Sequence, residues 1–334
     1  MRRREFMALI GNGVVAWPLA ARAQQPAKLK PIAMVHPVEK AGNMTITGRR
    51  FFRAFFEKLG ALGYVEGQNL VVDRYSGEGR TGQFTDLARD VVSTRPDLIF
   101  VIATPLALKF KMATETIPIV ALTGDPVAAG LVASFARPGG NITGTSADAG
   151  LEIWGKRLEL LLEAIPKPSN VRFLAMRMLW EASHGAMVRE LAKQVGISVS
   201  GALLDGAINE TEYQRLFTAM QQDRVDALMV SDDVEHYIHR QLLVEMITKS
   251  QIPAIYSYRE HVELGGLMAY SFDLADMFSR AADQIGQIFR GTNPGDIPFY
   301  QQTKFELVIN MKTAKTLGLE LPATLLARAD EVIE

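Results

Sequence analysis

The sequence predicts an α/β fold made of two Rossmann-like lobes, each built around a parallel sheet. Short apolar runs such as residues 98–102 and 119–122 stop at small and polar residues, and each is followed by a helical pattern. Uninterrupted apolar runs that alternate with helices are typical of strands buried on both faces of a parallel sheet. The alternation restarts after residue 144, and 334 residues suffice for about two domains.

The first half opens with an apolar strand over residues 31–35 and a helix over residues 48–62. Phe51 and Phe55 recur at helical spacing on one face of that helix, which predicts core packing rather than an aromatic ligand box. The following elements are expected at residues 70–75 (strand), 84–92 (helix), 98–102 (strand), 119–122 (strand) and 142–145 (strand).

The second half repeats this plan. Its first helix carries Trp154 in an apolar stripe, so that side chain is expected in the core. The elements are expected at residues 151–165 (helix), 171–176 (strand), 180–195 (helix), 198–204 (strand), 210–222 (helix), 227–231 (strand), 234–250 (helix) and 253–256 (strand).

Residues 1–23 are expected to be a signal peptide. Arg3 and Arg4, followed by Glu-Phe, have the twin-arginine shape, and residues 21–23 fit a small-x-small cleavage site. The intervening apolar stretch is shorter than the roughly 20 residues that a membrane span needs. A basic cytosolic N-terminus is the alternative interpretation. Cleavage would leave a soluble, exported chain that begins near Gln24.

Composition excludes several classes of function. Cleavage removes four arginines and one glutamate, so the formal net charge falls from −1 to −4, which gives no basic footprint for nucleic acid. The chain has no cysteine, which excludes a disulfide framework, a thiolate nucleophile and a lipid-modified cysteine anchor.

No catalytic motif is present: the sequence has no GxSxG elbow, no P-loop and no GxGxxG after a strand. His236 and His239 lie three residues apart on a predicted helix near several carboxylates, so a metal site is an open alternative. No HExxH pattern supports it, and acidic residues at a helix start are common. We expect no enzyme activity, metal or cofactor.

Five segments carry a resemblance to a known family: residues 123–127 (TGDPV), 137–144 (RPGGNITG), 253–256 (PAIY), 265–268 (GGLM) and 326–334 (LARADEVIE). Over essentially its whole length the chain resembles the ABC transporter substrate-binding family, and within it the branch associated with tryptophan and tyrosine uptake. The resemblance implies a type I periplasmic-binding fold, a ligand cleft between two lobes and no catalysis. Asp233 stands where the family usually has proline.

The resemblance also implies three hinge crossings, expected near residues 141–146, 256–259 and 291–299. By this division the first lobe is residues 30–143 plus 257–293, and the second is residues 144–256 plus 294–334. Residues 267–270 and the helix over 274–290 then return to the first lobe. Short multiple crossings permit hinge closure around a ligand.

Ligands of parallel sheets lie outside the carboxyl ends of the strands. On the first lobe, helix starts with unpaired N–H groups favour a carboxylate there, and threonine hydroxyls can add donors or, alternatively, cap the helices. His36, at the end of the first strand, can contact ligand or be structural. The first-lobe candidates are His36, Thr104, Pro105, Thr123, Gly124 and Asp125.

On the second lobe Asp232 is the expected acceptor for an ammonium group, and Tyr258 and Trp180 can stack on an aromatic ring. Arg177 and Arg259 can bind a carboxylate bidentately, or can be surface residues or ion-pair partners. The expected second-lobe site residues are Trp180, Asp232, Tyr256, Tyr258 and Arg259.

The expected function is that of an extracytoplasmic solute-binding protein of an ABC importer. It would capture a small carboxylate-bearing ligand, an aromatic amino acid or aromatic acid, by hinge closure in the periplasm. The expected partners are that ligand and the ABC permease and ATPase subunits, with no nucleic acid and no direct membrane insertion. The alternative is a ligand-presenting sensor partner of a separate membrane receptor.

Overall fold

The computed structural model describes residues 29–148, 150–205 and 209–334. It contains two α/β lobes, each with its own sheet, and confirms the predicted fold class. The expected signal peptide, residues 1–23, lies outside the described residues. No helix in the described part of the chain combines the length and hydrophobicity of a membrane span.

The first sheet is entirely parallel and has the strand order β11-β5-β4-β3-β1-β2. The second has the order β13-β12-β10-β9-β8-β6-β7 and is parallel except where β10 meets β12. The strands are β1 (Lys30–His36), β2 (Leu70–Ser76), β3 (Leu98–Ile102), β4 (Ile119–Thr123), β5 (Ile142–Ser146), β6 (Asn170–Met176), β7 (Ser198–Leu204), β8 (Ala227–Val230), β9 (Ala254–Tyr256), β10 (Met268–Phe272), β11 (Tyr300–Gln301), β12 (Phe305–Asn310) and β13 (Glu331–Ile333).

Helices connect the parallel strands. Two predicted helices each divide in the structure: the one over residues 180–195 breaks at the extended residue Ala182, and the one over 234–250 breaks at His239. The helices are α1 (Arg50–Ala61), α2 (Phe84–Ser93), α3 (Thr104–Ala113), α4 (Glu152–Ala164), α5 (Arg177–Glu181), α6 (Ser183–Gln194), α7 (Glu210–Gln222), α8 (Val234–Ile238), α9 (Arg240–Ser250), α10 (Arg259–Glu263), α11 (Leu274–Phe289), α12 (Met311–Thr316) and α13 (Ala323–Leu326), with short 3-10 turns at Ala41–Asn43, Thr81–Gln83 and Pro294–Asp296.

An aromatic cluster forms the core between α1, α11 and the first sheet. Phe55 stacks on Phe100 with ring centroids 4.7 Å apart, and Phe278 meets both rings edge-on. All three side chains are buried, as is Trp154 in the second lobe. The predicted core role of the phenylalanine stripe and of Trp154 is therefore confirmed.

The chain passes between the two sheets three times, at residues 147–151, 273 and 302–304. None of the three crossings lies where it was expected. The reason is that β5 and β11 both belong to the first sheet, while β10 belongs to the second. In particular, Met268 pairs with Ile255 and Ile309, so residues 268–272 do not return to the first lobe. Only α11 does, where it packs on α1. A five-residue apolar strand carries no local signal for its partner, so pairing alone decided its lobe.

Gln302 connects the three crossings. Its backbone N–H donates to the carbonyl of Ser146 (2.9 Å), and its side-chain amide donates to the carbonyl of Asp273 (2.9 Å). Its side-chain oxygen accepts from the N–H groups of Thr303 and Lys304. The side chain is buried, so the three segments are held at one point in the protein interior.

Candidate ligand-binding site

The carboxyl ends of β3 and β4 form the first-lobe wall. The N–H of Gly124 donates to Oγ1 of Thr104 (3.0 Å), which ties the two strand ends together. The hydroxyl of Thr123 donates to the carbonyl of Gly124, and the Thr123 side chain is buried. Both predicted threonine donors are thus engaged with this loop, and their hydroxyls set its shape. Pro105 lies exposed in the first turn of α3.

Asp125 follows the same loop. Its Oδ1 accepts from the N–H groups of Val127 (2.8 Å) and Ala128 (2.9 Å), so the carboxylate starts the turn that follows. Its negative charge also contributes to raising the pKa of Asp148, which lies in the first crossing. Asp125 therefore acts electrostatically on the first crossing.

His36, at the end of β1, has a local structural role. Its Nδ1 accepts from the N–H groups of Val38 (3.1 Å) and Glu39 (2.9 Å), which requires that this nitrogen carry no proton. Burial lowers the pKa of His36 to about 3, so the ring is neutral near pH 7. The ring also lies 6.5 Å from that of Tyr237, a second-lobe residue.

The carboxyl ends of β8 and β9 form the second-lobe wall. Tyr258 donates its hydroxyl to the backbone carbonyl of Asp232 (2.8 Å). Burial raises the pKa of the Asp232 carboxyl, and the positive charge of Arg157 opposes that rise. Asp233 points elsewhere: its Oδ2 accepts from the N–H of Met176 (2.9 Å) and the hydroxyl of Ser231 (2.5 Å). Asp233 thus fastens β8 to β6, a role that proline cannot fill.

Aromatic rings line the contact between the lobes. Tyr258 meets Phe272 edge-on, with centroids 5.4 Å apart, and Tyr237 at 5.2 Å. Tyr258 also packs against the aromatic core of the first lobe. These rings give the junction an apolar lining beside the carboxylates.

Two predicted aromatic site residues make contacts of their own. Tyr256 is fully buried in the hydrophobic core, where its ring stacks on that of His261 with centroids 4.8 Å apart. Trp180 lies on α5, where the guanidinium of Arg189 covers its ring at 4.5 Å and Phe173 packs beside it. Tyr256 is therefore a core residue, and Trp180 is a half-buried helix residue with its own partners.

Arg259 also pairs with other residues of the protein. Its guanidinium forms ion pairs with Glu263 (3.0 Å), Glu306 (2.9 Å) and Glu331 (2.6 Å). All three side-chain nitrogens are thus used, which supports the ion-pair alternative over a ligand role. Arg177 pairs with Asp205 (2.7 Å) on an exposed groove of about 630 Å³ along the edge strand β7. This groove lies apart from the junction.

Arg157, on α4, is the functional candidate that the sequence reasoning missed. The side chain is 1% exposed, and its Nε donates to the carbonyl of Tyr270 (2.9 Å). Nη1 and Nη2 have no hydrogen-bond partner in the described chain. The guanidinium lies 4.6 Å from the ring centroid of Trp154. An arginine three residues after Trp154, on the buried face of a helix, is the signal that could have identified it.

Asp148 and His184 complete the site. Burial raises the pKa of Asp148, and the charges of Asp125 from the first lobe and Asp232 from the second raise it further. His184 meets the ring of Trp154 edge-on at 6.1 Å, and its charge opposes the raised pKa of Asp232. We refer to Asp125, Asp148, Arg157, His184, Asp232 and Tyr258 together as the interlobe cluster.

The histidines considered for a metal site are engaged otherwise. His236 is buried, with Nδ1 at 2.9 Å from the hydroxyl of Tyr213 and Nε2 at 3.2 Å from the carbonyl of Leu174. Burial lowers its pKa to about 4. In the residues that the structure describes, no group of three or more His, Cys, Asp or Glu side chains is arranged to hold a metal ion.

Comparisons with known proteins agree with this architecture. A relative named as a tyrosine-binding protein, from Clostridioides difficile, is 27% identical over 270 residues, which cover 80% of this chain and 76% of the relative. Among solved structures, a conserved domain protein from Vibrio cholerae is 26% identical, with a TM-score of 0.79 over 91% of this chain and 100% of that chain.

A second solved structure is described as an ABC domain in complex with L-Trp, from Streptococcus pneumoniae. It is 24% identical, with a TM-score of 0.78 over 92% of this chain and 100% of that chain. The family model for the ABC transporter substrate binding protein matches residues 32–333. The chain therefore belongs to the ABC transporter substrate-binding protein family, whose members are solute-binding proteins rather than enzymes.

Proposed function

We propose that this protein captures an aromatic amino acid or aromatic acid between its lobes and delivers it to the permease and ATPase subunits of an ABC importer. The observation that carries the proposal is the contact between the lobes at their strand ends: the ring of His36 lies 6.5 Å from that of Tyr237, and Tyr258 packs against the aromatic core of the first lobe. Asp148 lies in the first crossing, where the charges of Asp125 and Asp232 raise its pKa. A ligand held there contacts both lobes.

The aromatic preference rests on the lining of the junction. Tyr258 and Tyr237 from the second lobe, with His36 from the first, present ring surfaces beside the interlobe cluster. Aromatic ligands pair with such rings in offset or edge-on geometry. The names of two similar proteins, which mention tyrosine and L-Trp, point to the same class of ligand.

Hinge closure follows from this arrangement as part of the proposal. A ligand shifts a conformational equilibrium only through its differential contacts with the two states. Contacts with both walls exist only when the lobes are together, so binding stabilises the closed form. The three crossings are short enough to act as a hinge. Export through the signal peptide of residues 1–23 would place this capture in the periplasm.

The test starts with a thermal-shift screen of the protein against amino acids and aromatic acids. Calorimetry measures the affinity of each hit, and small-angle scattering with and without the hit measures compaction. We expect L-tyrosine or L-tryptophan among the hits and a smaller radius of gyration in their presence. Absence of binding by any aromatic amino acid or acid would contradict the proposed ligand class, and binding without compaction would contradict closure.

Asp125→Asn locates the ligand. The amide oxygen still accepts from Val127 and Ala128, so the turn keeps its hydrogen bonds while the charge is lost. We expect a severalfold weaker affinity for a ligand that carries an ammonium group, since one neighbouring negative charge disappears. The matched control is Asp86→Asn, an exposed residue on α2. Equal affinities in both variants would place the ligand away from the first-lobe wall.

A further inference from the structure

We infer that Arg157 and Asp232 make the site selective for zwitterionic α-amino acids, with Arg157 binding the α-carboxylate and Asp232 the α-ammonium group. The inference rests on the proposed function and narrows its ligand class. It excludes simple aromatic acids and aromatic amines as ligands of comparable affinity.

The state of the Arg157 side chain is the first observation. A buried guanidinium is costly unless its charge is paired and its N–H groups are bonded. In Arg157 the carbonyl of Tyr270 satisfies Nε, but Nη1 and Nη2 have no partner in the described chain. Those two nitrogens form the end of a planar fork that matches the two oxygens of a carboxylate. A ligand carboxylate supplies both the missing charge and the missing acceptors.

The carboxylate of Asp232, in contrast, needs a positively charged partner. No other residue of the described chain forms a hydrogen bond or ion pair with its carboxylate, and Tyr258 holds its backbone in place. The positive charge of Arg157 acts on Asp232, yet the two do not form an ion pair within the described residues. A cation and an anion thus act on each other across the junction while each lacks a charged partner of its own among the described residues.

Neighbouring charges decide which ligands suit Arg157 and Asp232 together. The negative charge of Asp233 acts on Asp232, and the charges of Asp232 and Asp125 act on Asp148, so a carboxylic acid without an ammonium group meets repulsion there. An amine without a carboxylate leaves the buried Arg157 unpaired. An α-amino acid carries both charges on one carbon and satisfies both residues together. Opposite charges arranged in this way also reject the wrong ligand, since each missing group leaves a desolvated charge.

The experiment uses ligands shortened by one charged group. Calorimetry on the wild-type protein compares L-tyrosine with tyramine, which lacks the carboxylate, and with 3-(4-hydroxyphenyl)propanoate, which lacks the ammonium; L-tryptophan, tryptamine and indole-3-propanoate form a parallel set. We expect each truncated ligand to bind about 10- to 100-fold more weakly than its amino acid. An amine or acid that binds as tightly as the amino acid would overturn the inference.

Substitutions of Arg157 and Asp232 test which residue binds which charged group of the ligand. We expect the Arg157→Met variant to bind the amino acid only as tightly as it binds the amine, while its affinity for the amine equals that of the wild-type protein. The Asp232→Asn variant should bind the amino acid only as tightly as it binds the acid that lacks the ammonium group. Arg89→Met and Asp86→Asn, on the exposed face of α2, are matched controls. Arg157→Lys keeps the charge without the fork, so it serves if Arg157→Met fails to fold, and its amino-acid affinity should still fall.

Different results would contradict the proposed function and the role assigned to Arg157. If the wild-type protein binds neither amino acid nor either truncated ligand, the proposed function is wrong. If it binds the amino acid tightly and the folded Arg157 variants retain that affinity within about twofold, the function stands and the role of Arg157 is wrong. Circular dichroism and thermal unfolding of each variant establish that the compared proteins are folded.

Discussion

The side-chain amide of Gln302 donates a hydrogen bond to the backbone carbonyl of Asp273 over 2.9 Å. The two residues lie in different crossings between the lobes, and each crossing carries the chain from one sheet to the other. A buried hydrogen bond between crossings fixes their relative position, while the peptide segments beside it remain short. The proposed closure of the lobes would therefore pivot around this point.

Gln302→Ala removes that bond and leaves the carbonyl of Asp273 and the N–H groups of Thr303 and Lys304 without their partner. We expect a loss of about 1 to 3 kcal/mol in the free energy of unfolding, because unpaired buried groups are costly. Urea unfolding followed by circular dichroism measures it. Gln241→Ala, whose exposed side chain bonds only to Glu245 in its own helix, should change the same quantity very little. Equal stability in both variants would show that the hydrogen bonds of Gln302 do not stabilise the crossings.

His36→Leu removes the acceptor for two backbone N–H groups, and we expect it to destabilise the protein by about 1 to 3 kcal/mol. His36→Asn should recover much of this loss, because an asparagine oxygen accepts from N–H groups two and three residues ahead. The measurement is thermal unfolding of both variants at pH 7. If the two variants unfold at the same temperature, the Nδ1 contacts of His36 are not what stabilises the loop.

The same histidine predicts a dependence on pH. Its folded-state pKa of about 3 lies below the usual histidine value of 6.5, so between these values the unfolded chain binds the extra proton. The stability contribution is therefore complete above pH 6.5 and is lost as the pH falls toward 3. His36→Asn should show a smaller loss of stability between pH 6.5 and 4.5 than the wild-type protein does. An identical slope would contradict the neutral state of His36.

Glu260 should make the stability change with pH in the opposite direction. Burial raises its pKa from 4.5 to about 7, the charge of Glu263 adds to this effect, and Arg49 and Arg259 oppose it. Between pH 4.5 and 7 the folded protein keeps a proton that the unfolded chain releases, so this group lowers stability as the pH rises. Glu260→Gln should gain stability relative to wild type on going from pH 5 to pH 8, by on the order of 3 kcal/mol. Urea unfolding at both pH values tests it, and a constant difference would refute the raised pKa.

The proposed signal peptide makes a separate prediction. Replacing Arg3 and Arg4 with lysines should hold the protein in the cytoplasm, because a twin-arginine signal needs both guanidinium groups in its motif. Cell fractionation with detection of the full chain and of the chain cleaved near Gln24 measures the outcome. Export that survives this change but stops when the general secretory route is blocked would refute the twin-arginine assignment while leaving export itself in place.

Local patterns predicted much of the molecule correctly. Apolar runs closed by turn residues marked strands such as β3 and β4, and helical spacing marked Phe51 and Phe55 as core. Asp232 was expected at the carboxyl edge of the second sheet because a polar residue directly after a buried strand lies there, and it does follow β8. These features depend on residues close together in the chain, so they can be recognised without the fold.

By itself, then, the sequence determined the order of elements, the aromatic core and the strand ends that carry polar residues. Only the tertiary structure decided which sheet β10 joins, that Arg259 pairs with Glu331, and that two buried nitrogens of Arg157 find no partner among the described residues. Each of these depends on a partner far away in the chain, and a side chain of the same type is neutralised or left unpaired according to what the fold places beside it.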